Sequence, residues 1–155
     1  MLIEIPDKYF LVSGAGDAST PLNAFDCALL NSGVGNTNLV KMSSILPPGC
    51  KKIEPIKLPY GALVPVAYAS KMSDVKGEMI TAAVAVAIPE DDSLPGLIME
   101  YSSRGHKEDI ENIVIDMAKS GMAMRNFQIK NIYSASVEQK VKRIGVAFAA
   151  VVLWK

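Results

Sequence analysis

Apolar runs separated by short polar or glycine–proline breaks dominate the chain, and that pattern predicts a fold made mostly of strands. Thr81 to Ile88 (TAAVAVAI) is apolar at nearly every position, so the strand predicted over Glu78 to Ile88 should be covered on both faces. Gly61 to Ser70, Leu94 to Tyr101, Asn126 to Glu138 and Ile144 to Leu153 are further strand candidates. Asn38 to Leu46 is an extended run halted by Pro47-Pro48. Tyr9 to Val12 predicts a short strand, which a Gly14-Ala15-Gly16 turn is expected to close.

Two segments carry helical spacing instead. Thr20 followed by Pro21 supplies a hydroxyl N-cap and a proline at the first helical position. Leu22, Phe25, Leu29 and Leu30 then repeat at three to four residues, and Asn31-Ser32-Gly33 is a glycine-type stop. The second helix is predicted over Lys107 to Met124, with Ile110, Ile113, Val114, Met117 and Met124 on its apolar face. Ser102 to Lys107 is expected to be a polar loop that keeps His106, the one histidine, at the surface. Two helices with six or seven strands and no linker predict one domain over 1–155, a mixed α/β (α+β) sandwich with helices outside.

Composition removes several classes of function. Half of the residues are hydrophobic (50%), which is apolar for a small soluble domain and predicts a covered subunit interface. No run approaches the roughly 20 apolar residues of a membrane-spanning helix, and Val146 to Trp154 suits a buried strand. The 16 basic and 16 acidic residues cancel, which argues against nucleic acid or an anionic membrane as partner. Cys27 and Cys50 make no disulfide framework, and the Met1-Leu2-Ile3-Glu4 start has no secretory pattern, so a cytoplasmic location is expected. One histidine and no Cys/His cluster predict no metal site. The chain also lacks G-x-G-x-x-G after a strand, a G-x-x-x-x-G-K-[ST] loop and a G-x-S-x-G elbow.

What remains is polarity in expensive places. Asp26 lies four residues from both Leu22 and Leu30, within the first helix's stripe. There it either meets a Lys or Arg, sits at the stripe's edge, or recognises a cationic ligand, for which a guanidinium fits a carboxylate best. Glu100 interrupts the apolar strand Leu97-Ile98-Met99-Glu100-Tyr101. It either reaches solvent at the strand end or is buried, and burial raises a carboxyl pKa toward that of a general acid. Ser43-Ser44 lies within Asn38 to Pro48, where spacing alone assigns the pair nothing beyond backbone bonding.

At these residues the sequence resembles the pyruvoyl-dependent arginine decarboxylases. The likeness runs in family order through Thr20-Pro21-Leu22-Asn23-Ala24-Phe25-Asp26, Asn36 to Leu39 and Ser43 to Pro48. It continues through Leu58 to Pro65, Ser73 to Val75, Gly96 to Tyr101, Ala147 to Ala150 and Leu153-Trp154. The resemblance implies an αββα sandwich, and a covalent pyruvoyl group made from Ser44 by self-cleavage of the Ser43–Ser44 bond. The products would be a β chain of residues 1–43 and an α chain of residues 44–155. It further implies decarboxylation of arginine to agmatine without metal or pyridoxal phosphate, the ketone acting as electron sink. By the same likeness Glu100 returns the proton, Asp26 meets the guanidinium and Asn38 orients substrate or assists cleavage. Leu22, Leu29 and Ile45 would line the arginine stem. Trimers, in places paired into hexamers, with sites between subunits are implied too. The alternatives are a pyruvoyl decarboxylase for another basic amino acid and a homologue that never matures.

Overall fold

The computed structural model describes residues 4–155; the start read for a leader segment falls largely on residues 1–3, outside the described residues. The elements in chain order are β1 (Lys8–Ala18), α1 (Pro21–Asn31), β2 (Asn38–Lys41), β3 (Ile45–Leu46), β4 (Lys51–Lys52) and β5 (Leu63–Ser73). Then follow β6 (Met79–Pro89), β7 (Gly96–Arg104), α2 (Lys107–Met124), β8 (Ile129–Lys140) and β9 (Ile144–Trp154). One sheet has the order β2-β5-β9-β1-β4 and the other β3-β7-β6-β8. The sheets stack face to face with one helix on each outer surface, so the αββα sandwich is present.

The strand period of two explains the layering. In β6, Ala82, Val84 and Val86 enter the layer between the sheets, while Ala83, Ala85 and Ala87 meet α2. In β9, Ala147, Ala149 and Val151 face the other sheet, while Phe148, Ala150 and Val152 meet α1. Both strands are therefore apolar on both sides, as their continuous runs required. Each fully buried valine contributes on the order of 1.5–3 kcal/mol relative to exposure. The small alanines allow the layers to approach closely.

Two expectations about the strands need correction. Gly14 and Gly16 do not turn the chain; β1 runs straight through them, antiparallel to β9 from Lys8↔Trp154 to Ala18↔Ile144. They are glycine because α1 lies on them: a Cβ at Gly16 would sit 2.6 Å from the Ala28 nitrogen and 2.7 Å from the Ala24 carbonyl oxygen. Ser102 to Arg104 is not loop but the end of β7, paired with β6 as far as Ile80↔Arg104. His106 stays exposed, as the residue before α2.

The helix faces also turn relative to the predicted stripes. The Thr20 hydroxyl accepts from the Asn23 backbone N–H, as its cap position required, but α1 buries Ala24 and Ala28. Phe25 and Leu29 are half-buried, and Leu22 is 76% exposed. The glycine surface of β1 admits only small side chains, and that selects the alanine face. In α2 the buried set is Ile110, Val114, Ala118, Gly121 and Met122, which leaves Ile113 and Met124 outside. Gly121, inside α2, faces Leu97 and Met99 of β7 at close range.

Candidate active site

The segment from Asn38 to Lys52 travels over the edges of the sandwich. β2 extends the first sheet in parallel with β5, from Asn38↔Leu63 to Lys41↔Val66. The Met42 N–H makes the last bond of that ladder, to the Val66 carbonyl at 2.9 Å. The chain then leaves for the other sheet. The Ile98 N–H donates to the Ser44 carbonyl at 2.7 Å, and β3 pairs antiparallel with β7 through Ile45↔Leu97 and Leu46↔Gly96. Pro47, having no N–H, cannot continue the ladder, and the Cys50 N–H closes a turn on the Pro47 carbonyl at 3.2 Å. The extended run 38–46 is thus two strands in two sheets. Ser43-Ser44 is the bridge between them, tied to a different sheet on each side.

Glu100 shares β7 with the Ile98 amide that anchors the bridge. It lies two residues beyond Ile98 on β7, roughly 6.6 Å along the strand and on the same face. That face looks into the layer between the sheets, where Ile98 is buried. The Lys41 Nζ lies 3.3 Å from the Glu100 Oε1 and 4.4 Å from the Tyr68 ring centroid. The other oxygen, Oε2, is buried without a hydrogen-bond partner among the described residues. Burial pushes the Glu100 carboxyl pKa above its ordinary value. The Lys41 charge and hydrogen bond, and then the Tyr68 backbone amide, oppose that rise without cancelling it. Around the carboxyl an open pocket of about 320 Å³ is lined by Lys41, Tyr68, Ser70, Glu100, Tyr101 and Ser102. The Ser102 hydroxyl donates to the Ser70 carbonyl at 3.0 Å, joining the edges of the two sheets along this pocket.

The other predicted site residues are placed differently. Asn38 donates from Nδ2 to the Gly61 carbonyl at 3.0 Å, while its backbone N–H meets the Ala62 carbonyl at 2.8 Å. It clamps the start of β2 onto the loop before β5. Asp26 is exposed on α1, as its reading at the stripe's edge allowed, and none of the ion pairs among the described residues involves it. Neither Asp26 nor Leu22 lines the pocket at Glu100. Leu29 packs against the first sheet and Ile45 is 43% exposed. An aromatic relay joins α1 to the pocket: Phe25 lies 6.3 Å from Tyr68, and both pack on Phe148 at 6.0 and 5.2 Å.

Lys41 and Tyr68 escaped the sequence reading. Lys41 left one signal, a lysine in the middle of the extended run Leu39-Val40-Lys41-Met42. Tyr68 left none, because its contact with Lys41 joins strands 27 positions apart in numbering.

A family model described as pyruvoyl-dependent arginine decarboxylase matches residues 8–155. The protein of that description from Methanococcus vannielii is 51% identical over 151 residues, covering 97% of this chain and 92% of that protein. Its counterpart from Methanocaldococcus jannaschii is also 51% identical over 151 residues, with the same coverage. That from Thermococcus sibiricus is 43% identical over 151 residues, covering 96% of this chain and 95% of the relative. The chain belongs to the pyruvoyl-dependent arginine decarboxylase family.

The family's cofactor is a covalent pyruvoyl group, and its activity class is carbon–carbon lyase. The residues present fit such a group. The peptide at Ser43-Ser44 is fixed on both sides and lies outside the interior, with Ser43 exposed and Ser44 half-buried. The orphaned Glu100 oxygen, two residues along β7 from the Ser44 anchor, suits an acid that works on a guest molecule. Among the described residues no group of three or more His, Cys, Asp or Glu could hold a metal ion. No helix among them is long and apolar enough to cross a membrane.

Proposed function

We propose that this member cleaves itself between Ser43 and Ser44, converts residue 44 to the pyruvoyl group and then decarboxylates arginine to agmatine and carbon dioxide. The observation that carries this reading is the Ser43-Ser44 bridge, suspended between two sheets and anchored on β7 two residues from Glu100. The names of the relatives support arginine as substrate.

Self-cleavage begins when the Ser44 Oγ attacks the Ser43 carbonyl carbon. The C–O bond forms, the peptide C–N bond breaks, and the hydroxyl proton ends on the freed Ser44 nitrogen. Loss of the residue 44 α-proton then expels the Ser43 carboxylate, leaving dehydroalanine. Water hydrolyses this to the ketone and releases ammonia. One water enters and one ammonia leaves, which balances the sequence. Anchoring of Met42 on Val66 and of Ser44 on Ile98 holds the scissile peptide still during attack.

Once formed, the pyruvoyl ketone supplies the electron sink for the bond to the departing carboxylate. The chain's own side chains do the rest. Glu100, whose carboxyl burial biases toward the neutral form, delivers a proton to the substrate α-carbon after carbon dioxide leaves. Asp26 pairs with the guanidinium at the far end, where its freedom from ion pairs among the described residues leaves it available. Asn38 orients the substrate or assists cleavage, from an amide whose Nδ2 is anchored on the Gly61 carbonyl. Leu22, Leu29 and Ile45 give apolar walls to the substrate stem.

Asp26 and Leu22 lie outside the Glu100 pocket of their own chain, which supports a site shared between subunits of a homotrimer, or of a hexamer made from two trimers. Exposed Leu22 (76%), Tyr60 (75%) and Leu63 (70%) support the same assembly, since such side chains are costly to leave in water. The single domain 1–155 would then consist of two polypeptides, 1–43 and 44–155.

Intact-mass measurement of the purified protein tests the reading, together with carbon dioxide release from arginine. Two fragments are expected whose masses together exceed the precursor by the difference between one water and one ammonia. The Ser44→Ala variant should stay a single inactive chain. Arginine decarboxylation by an uncleaved chain, or by Ser44→Ala, would refute the proposal.

A further inference from the structure

Glu100 cannot be understood without the cation beside it. Lys41 ends β2, two residues before Ser43, and its ammonium touches both the Glu100 Oε1 (3.3 Å) and the Tyr68 ring (4.4 Å to the centroid). The pair is partly open, with side chains 53% and 32% exposed, so its net contribution to stability is small. Its geometry is nevertheless constrained from three elements: β2 delivers the lysine, β5 the ring and β7 the carboxyl. The ring itself is held by Phe25 and Phe148, so the ammonium rests on a fixed platform.

We propose that Lys41 is a positioning residue for the family reaction: clamped between the Tyr68 ring and Glu100, it holds that carboxyl beside Ser44 and sets its proton occupancy. This rests on Glu100 being the acid. The groups facing that carboxyl can be named from each packed element. β2 gives Lys41, β5 gives Tyr68 with the neighbouring Ser70, and β7 itself gives Tyr101 and Ser102 at the pocket wall. β6 presents Val84 opposite Glu100, which does not titrate. Lys41 is the charge in this set, so the proton equilibrium is a contest between burial, which favours the neutral acid, and one ammonium, which favours the anion.

The sign follows directly. An acid is active while protonated, so activity falls as pH rises through its pKa. Lys41 draws that fall to lower pH, and removing its charge moves the fall upward. Two measurements read this. In the uncleavable Ser44→Ala precursor, carboxyl titration of ¹³C-glutamate-labelled protein, assigned by loss of the signal in Glu100→Gln, gives the Glu100 midpoint without any need for maturation. Adding Lys41→Met should move the midpoint to higher pH, whereas Lys41→Arg should keep it near the parent's. In matured protein the alkaline limb of kcat/KM should move upward with Lys41→Met and return with Lys41→Arg, at equal extents of cleavage. A Lys41 that merely packs would leave the midpoint and the limb where they are, and either unmoved reading overturns the proposal. Glu100→Gln separates this failure from that of the parent reading: full decarboxylation by Glu100→Gln sinks the acid assignment itself, whatever the Lys41 titrations show.

Discussion

The close approach of α1 to β1 offers the most direct physical test of the fold that carries the site. Substituting Gly16 by Ala adds one methyl, whose carbon would lie 2.6 Å from the Ala28 nitrogen, 2.7 Å from the Ala24 oxygen and 2.7 Å from the Cys27 Cβ. Carbon contacts relax near 3.5 Å, so the helix would have to retreat by roughly 0.8–0.9 Å. Two of the three obstructing atoms belong to helix backbone, which cannot rotate away. Overpacking costs about 1–3 kcal/mol, and the rigid neighbours place this case at about 2–3. For a chain of this size, about 2–4 °C per kcal/mol then predicts a fall in Tm of roughly 4–12 °C. The comparison belongs in the Ser44→Ala background at one protein concentration, so that neither cleavage nor assembly differs between samples. Retreat of α1 also loosens Phe25 from Tyr68, so in matured protein KM for arginine should rise as well. A loss of stability within about 0.5 kcal/mol, the range of an ordinary surface change, would refute the close-contact explanation of this glycine.

Two further substitutions probe the polar residues. Asp26→Asn should leave self-cleavage intact while lowering kcat/KM for arginine about ten- to hundredfold, the scale of one lost charge-assisted hydrogen bond; unchanged arginine turnover would remove Asp26 from substrate recognition. Asp17 accepts from the backbone N–H groups of Lys142 (2.9 Å) and Arg143 (3.1 Å), fastening the turn between β8 and β9 onto β1. Burial by itself would raise its pKa, yet these amides and the Arg143 side chain hold the carboxyl below its ordinary 3.8. A depressed carboxylate stabilises above that ordinary value and loses its contribution as pH falls through the lowered one. Asp17→Asn should therefore lower the denaturation midpoint at neutral pH and converge on its parent in acid. Parallel curves down to the acid end would show that the Asp17 charge contributes nothing.

How far the sequence could be read varies with the range of the contact involved. The buried strands were plain, because β6 and β9 touch protein on both faces and must be apolar throughout. α1 began where the Thr20-Pro21 cap put it, and α2 spans Lys107 to Met124 as its spacing required. The Gly14-Ala15-Gly16 segment was misread as a turn, since glycine has the same local appearance whether it bends a chain or makes room for a helix. Likewise Ser102 to Arg104 looked like loop, yet it is the end of β7, where Ser102 lines the pocket and Arg104 pairs with Glu78. The first helix's stripe pointed at leucines, but the glycine surface beneath it accepted alanines instead, turning Leu22 and Asp26 outward.

Period, capping and composition are local properties, and from them the chain alone determined the layered class, the doubly buried strands and the placement of both helices. Glu100 was legible as well, because a carboxylate within an apolar strand is anomalous wherever the strand goes. The position of Ser43-Ser44 astride two sheets, the meeting of Lys41, Tyr68 and Glu100, and the outward turn of Asp26 were decided only by tertiary packing. Each depends on which strand edges come together across the sandwich, a long-range outcome of fitting whole surfaces that no short stretch of sequence encodes.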